Sequence, residues 1–274
     1  MKRILVGFDG SHGATAALSW ALGQARLHHA DLLPWTVLPE QTDMTAGDDV
    51  VLEALRQAVK DISQGAAELR LSRGQPAAEL TAACTDADLL VVGSRGRSPV
   101  AGLLLGSVSR GCLHQAPCPV TVVPDRPRPA RAYGRVIVAL DGSAPSRHAL
   151  RLAAEEAALR GAELHAVHAV SWDPLGAELI TPDVDDLVAW GERLLAGELA
   201  EARVQARPVV VPGHPAEVLT RLGSQADLLI VGCRGHSRLA GMLLGSTSDY
   251  CAQHAPCPVM VAPGPPPESR MRAG

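Results

Sequence analysis

Lysine is almost missing from this chain: Lys2 and Lys60 are the only two among 274 residues. Neither stands near a glycine-rich loop, and GxxxxGK[ST] does not occur, so a P-loop or kinase-type site has no lysine to grip phosphate. Aromatic residues are 3% of the chain and Phe8 is the single phenylalanine, too few for a platform on which nucleic-acid bases could stack. Trp20, Trp35, Trp172 and Trp190 read as packing residues. The six cysteines form no CxxC pair, which excludes a zinc knuckle or a thioredoxin-type motif. Cys112 and Cys118 recur as Cys251 and Cys257, and with Cys84 and Cys233 they read as buried thiols of a reducing compartment. Ten histidines never fall in HExxH or HxxxH spacing, so they are assigned to packing or surface rather than to metal. No uninterrupted apolar run approaches the roughly 18 residues of a membrane span. The apolar run Ile4–Phe8 is also short for a secretion signal, and the chain is expected to be cytoplasmic. Asp plus Glu outnumber Lys plus Arg, 29 to 25, which leaves no basic field for nucleic acid.

What is present is a repeat. "VVGSRGRSPVAGLLLGSVSRGCLHQAPCPVTVVP", Val91–Pro124, aligns without a gap with "IVGCRGHSRLAGMLLGSTSDYCAQHAPCPVMVAP", Ile230–Pro263, and matches at 20 of 34 positions. "RILVGFDGSHGATAALSWALGQA" from Arg3 parallels "RVIVALDGSAPSRHALRLAAEEA" from Arg135: an apolar run, Asp-Gly-Ser, then a helical stretch. Ser11 and Ser143 are placed to cap these helices, with Pro145 tolerated in the first turn. Each copy continues with a second apolar strand ("ADLLPWTVL", "AELHAVHAV"), an amphipathic helix, a third strand, a short helix opened by Pro76 or Pro215, and fourth and fifth strands. Strict alternation of strand and helix predicts an α/β fold: two tandem doubly wound domains, each a parallel sheet with helices on both faces. The domains are set at 1–124 and 134–263, with a Pro- and Arg-rich linker at 125–133 and a disordered tail at 264–274. Seven extra residues in the second copy, around "SWDPLGAELITPD", fall to a loop.

The fourth strand of each copy empties into spaced glycines: Gly93-x2-Gly96-x9-Gly106-Ser107 and Gly232-x2-Gly235-x9-Gly245-Ser246. A strand followed by a glycine loop and a helix N-terminus suits a phosphate, because open N–H groups face the anion and missing side chains let it approach. Ser107, Ser109, Ser246 and Ser248 could add hydroxyl donors, and Arg95 and Arg234 could add charge. Without a lysine, GxSxG or Ser-His-Asp order, no catalytic residue is assigned.

"VGFDGS", "VALDGS", the twin glycine passages and "APCPV" leading into a last strand resemble the universal stress protein family in its tandem form, across nearly the whole chain. The resemblance implies five parallel strands per domain in the order 3-2-1-4-5 and, where the glycine motif is kept, ATP binding with Mg²⁺ riding on the phosphates. Carried onto this sequence, it implies one site from Gly7, Phe8, Asp9, Val37, Gly93, Arg95, Gly96, Gly106, Ser107, Val108 and Ser109. The second would comprise Ala139, Leu140, Asp141, Ala169, Gly232, Arg234, Gly235, Gly245, Ser246, Thr247 and Ser248. Val37 and Ala169 would flank the adenine, and Asp9 and Asp141 would meet ribose, phosphate or the metal. Asp-Gly is also a common turn, and the alternative is that these aspartates serve only to start the helix, although both copies keep Asp while their neighbours drift. Thr247 replaces Val108 and His236 replaces Arg97 between the copies. The resemblance further implies pairing of the two copies through their last strands, and leaves a homodimer of the whole chain open. The expected role is a nucleotide-dependent module in stress or growth regulation. A slow ATPase and an interaction protein without nucleotide are the alternatives.

Overall fold

The computed structural model describes residues 1–40, 46–96, 105–125, 133–171, 183–235 and 244–264. The first change from one compact unit to the other falls at Ala130 and Arg131. The expected linker and tail lie almost wholly outside the described residues, as do Trp172, Arg97 and His236.

The first repeat forms β1 (Arg3–Gly7), α1 (His12–His28), β2 (Asp31–Leu38), α2 (Ala46–Ser63), β3 (Arg70–Arg73), α3 (Pro76–Ala83), β4 (Leu89–Gly93), α4 (Ser107–Gln115) and β5 (Val120–Val123). Its strands lie in the order β3-β2-β1-β4-β5, all parallel, with Arg3 opposite Asp31, Ile4 opposite Leu89 and Leu90 opposite Val120. The second repeat gives β6 (Arg135–Ala139), α5 (Ala144–Arg160), β7 (Glu163–Val170), α6 (Val184–Ala202), β8 (Arg207–Pro212), α7 (Pro215–Gly223), β9 (Leu228–Gly232), α8 (Ser246–His254) and β10 (Val259–Ala262). The order there is β8-β7-β6-β9-β10.

The central strands carry the cores. Ile4, Leu5, Val6, Leu89, Leu90 and Val91 are wholly buried, as are Val136, Val138, Leu228, Leu229 and Ile230. Continuous apolar runs are what a strand covered on both faces requires, and each such side chain contributes about 1.5–3 kcal/mol on burial.

The start of each repeat is locked from both sides. The Ser11 hydroxyl accepts from Ala14 N–H and the Ser143 hydroxyl from Ser146 N–H, which satisfies helix donors that otherwise have no intrahelical partner. Gly10 and Gly142 sit at φ +80° and +81°, a turn conformation that glycine enters without a side-chain clash. Asp88 accepts from Lys2 and Arg3 N–H at 2.6 and 3.0 Å, and Asp227 accepts from Tyr133 and Arg135 N–H. These carboxylates tie the first strand of each sheet to the fourth. Strand order reverses between β1 and β4, and between β6 and β9, opening a crevice beyond their carboxyl ends.

Candidate functional site

In the first unit a cavity of about 290 Å³ lies in that crevice, and in the second one of about 190 Å³. The first is bordered by Gly7, Phe8 and Asp9 from the end of β1, and by Gly93, Arg95 and Gly96 from the end of β4. Gly106, Ser107, Val108 and Ser109 at the start of α4 and Val37 on β2 complete the expected set. The second is bordered likewise by Ala139, Leu140 and Asp141, by Gly232, Arg234 and Gly235, by Gly245, Ser246, Thr247 and Ser248, and by Ala169. The structure thus brings every described candidate of each repeat to one cavity. It adds residues that no spacing announced: Ala14, Trp35, Pro76, Leu80 and Val92 in the first, and Ser146, Val167, His168, Pro215, Leu219 and Val231 in the second.

The aspartates do two things at once. Asp9 Oδ1 accepts from Ser11 N–H at 2.9 Å. Asp141 Oδ1 accepts from Ser143 N–H at 3.0 Å and from the Ser143 hydroxyl at 2.6 Å. That is the turn role. The other oxygen faces the glycine loop: a Cβ placed on Gly96 would lie 3.0 Å from Asp9 Oδ2, and one on Gly235 would collide with Asp141 Oδ2.

The three glycines of each motif differ in what surrounds them. A Cβ on Gly93 would come within 2.5 Å of the Gly13 carbonyl carbon, and one on Gly232 within 2.8 Å of that of Pro145. The first glycine therefore serves the close seating of α1 on β4, or α5 on β9, rather than ligand approach. Gly96 and Gly235 make room for the aspartate. At Gly106 the nearest described atom to a Cβ is Ser94 O at 3.6 Å, and at Gly245 the nearest lie at 3.4 Å, ordinary contacts. Gly106 has φ −69°, which any residue adopts. Neither the backbone nor the described packing demands glycine there.

Two of the expected hydroxyl donors are committed elsewhere. Ser109 Oγ donates to Gly93 O at 2.6 Å and Ser248 Oγ to Gly232 O at 2.6 Å. Both serines are buried and fix the helix start to the end of the strand, so the hydroxyl contribution falls to the exposed Ser107 and Ser246. Helix α4 has no side-chain cap on its N-terminal residue Gly106, and its first-turn N–H groups have no intrahelical acceptors by geometry. They border the cavity and carry the positive end of the helix dipole.

Arg95 pairs with Asp125, Nε to Oδ2 at 3.4 Å, and Asp125 also accepts from Ser94 Oγ at 2.9 Å. Across β2 and β7, the Thr36 hydroxyl donates to Phe8 O, and His168 holds the corresponding Leu140 O at 2.7 Å. A carbonyl only accepts, so Nδ1 of His168 carries the proton. The six cysteines are free and buried. Cys84 shares a hydrogen bond with Cys118, which together with burial pushes its thiol far up, while burial pushes Cys112 and Cys251 up to about 12. Of the six, none borders either cavity.

The sequence matches the universal stress protein family over residues 1–124 and 132–263. The chain belongs to this family. A universal stress protein of Mycobacterium tuberculosis (strain H37Rv) is 34% identical over 289 residues, covering 94% of this chain and 95% of the relative. Another from the same species (strain CDC 1551) is 31% identical over 300 residues, with 94% of each chain covered. The crystal structure of a universal stress protein from Archaeoglobus fulgidus shares the fold at a TM-score of 0.67 and 24% identity, covering 96% of this chain and 98% of that one. Among the described residues, no helix is long and apolar enough to cross a membrane.

Proposed function

We propose that each unit of this universal stress protein binds one ATP, and that occupancy rather than turnover is what the protein transmits in stress or growth regulation. The observation that carries this reading is Gly106 with its counterpart Gly245. They stand at the mouth of a cavity, at a helix start, in a conformation open to any residue and with room for a Cβ among the described atoms. A small residue that the described packing does not demand suits a ligand that must come close to the backbone.

The parts then take distinct roles. First-turn N–H groups of α4 and α8 receive phosphate oxygens, Ser107 and Ser246 add hydroxyls, and Arg95 and Arg234 add positive charge at the rim. Val37, Leu80 and Pro76, or Ala169, Leu219 and Pro215, offer an apolar wall to the base. Asp9 and Asp141 each bring a single carboxylate, and no group of three His, Cys, Asp or Glu able to hold a metal occurs among the described residues. This donor set fits a Mg²⁺ that arrives with the phosphates, where it would offset their repulsion from the aspartate.

Binding is favoured over hydrolysis because Oδ1 of each aspartate is already engaged by a turn N–H and Oδ2 lies against a glycine. Each carboxylate is thus engaged in holding its turn and its glycine loop, a positional rather than a catalytic task. The direct test is to purify the full chain without added nucleotide, denature it, and separate the supernatant by anion exchange beside ATP, ADP and AMP. One to two equivalents of ATP supports the reading. Mostly ADP would transfer it to a slow ATPase, and no nucleotide with no uptake of Mg-ATP would overturn it.

A further inference from the structure

The two cavities differ most at the apolar end. Gly7 lies opposite Trp35 in the β1–β2 register, whereas Ala139 lies opposite Val167 in β6–β7. Both Trp35 and Val167 border their cavities. Trp35 shares a strand face with Val37, two residues on, and is half-buried. Its indole Nε1–H donates to Ser72 Oγ at 2.9 Å, which holds a rigid ring in one plane. Phe8 also borders the first cavity but is 2% exposed. In the second, the ring of His168 turns to Leu140 O and Trp190, and its Cδ2 would sit 2.9 Å from a Cβ on Gly191. Only the first cavity therefore combines a partly open, fixed indole with a phosphate-accepting helix start.

We infer that Trp35 is the surface on which the first site receives the planar base of its nucleotide, so that this site holds the base more tightly than the second, whose wall at this place is apolar without a flat ring. The inference rests on the nucleotide reading of these cavities. Base stacking on an aromatic ring is sequence-tolerant and strong enough to change affinity roughly ten- to a hundred-fold on removal of the ring. A Val at the same place presents no flat π face.

The test is calorimetric titration of the full chain with Mg-ATP and, separately, with tripolyphosphate, which has the phosphates and no base. Wild type, Trp35→Leu and Trp35→Phe are compared, with thermal melts as a folding control. Trp35→Leu is expected to weaken ATP at one of two sites by roughly ten- to a hundred-fold while leaving tripolyphosphate unchanged, and Trp35→Phe to restore much of the loss. Indole emission should fall on adding ATP in wild type, and the fall should shrink in both variants. Equal weakening of ATP and tripolyphosphate, or no change in either, overturns the inference while leaving the nucleotide reading intact. Binding of neither ligand by wild type overturns both.

Discussion

The two cavities agree in their backbone frame and in the aspartates and arginines set on it, and differ in several of the side chains that finish them. Glycines, aspartates and helix starts recur position by position, and the bond from the second helical serine to the strand's last carbonyl recurs at 2.6 Å in both. Around this frame, Trp35 corresponds to Val167, Thr36 to His168, Ser94 to Cys233, and Asp125 to Gly264. Arg95 is thus partly neutralised by a carboxylate that Gly264 cannot supply to Arg234. On the proposed nucleotide reading, the shared frame serves both sites and the periphery is where their affinities would diverge.

The largest effect should come from breaking the frame where the protein itself does not depend on it. Gly106→Val is expected to abolish nucleotide uptake in the first unit alone, leaving one equivalent per chain by equilibrium dialysis, with Gly245→Val as the mirror experiment. Stability should fall only by the cost of a poorer helix N-cap residue, about 0.5–2 kcal/mol, too little to unfold the unit. Two equivalents bound by Gly106→Val would show that the glycine is architecture after all.

Gly93→Ala probes the opposite case. Its Cβ would meet the Gly13 backbone at 2.5 Å, and backbone cannot swing aside as a flexible side chain can. Overpacking of this kind typically costs about 1–3 kcal/mol. The variant should lose stability in urea by that amount, whereas Gly106→Ala should lose only what a poorer N-cap residue costs, toward the low end of about 0.5–2 kcal/mol. Equal losses would erase the distinction drawn between the glycines.

That distinction also marks what the sequence could and could not tell. Alternating strand and helix signals, read twice, were enough to predict the parallel sheets, because short apolar runs such as Ile4–Val6 and Leu228–Ile230, bounded by turn signals and followed by helices, suit strands covered on both faces. The glycine loops were legible through their position between strand and helix. Which glycine answers to packing and which to open space was not legible, since the deciding atoms, Gly13 and Pro145, lie about 80 residues away in sequence. Ser109 looked like a ligand donor for the same reason: its partner, Gly93 O, is brought near only by the fold. Trp35 reads as a packing residue because a residue bordering a cavity keeps the apolar pattern of a residue inside one.

A smaller difference separates the units in their response to acid. Ala16 on α1 corresponds to His148 on α5, and burial, aided by Arg151 and opposed by Glu155, holds the His148 imidazole below its usual value. With the folded pKa depressed, the unfolded chain binds more protons than the native one as pH falls through about 6.5. Stability from this group is therefore complete above that pH and declines below it, until the native imidazole is protonated too. His148→Ala, which copies the first unit, should flatten the dependence of melting temperature on pH between about 7 and 5 without removing the contributions of other groups. An unchanged slope would mean that His148 stays as well solvated in the folded chain as in the unfolded one, and that the two units do not differ on this count.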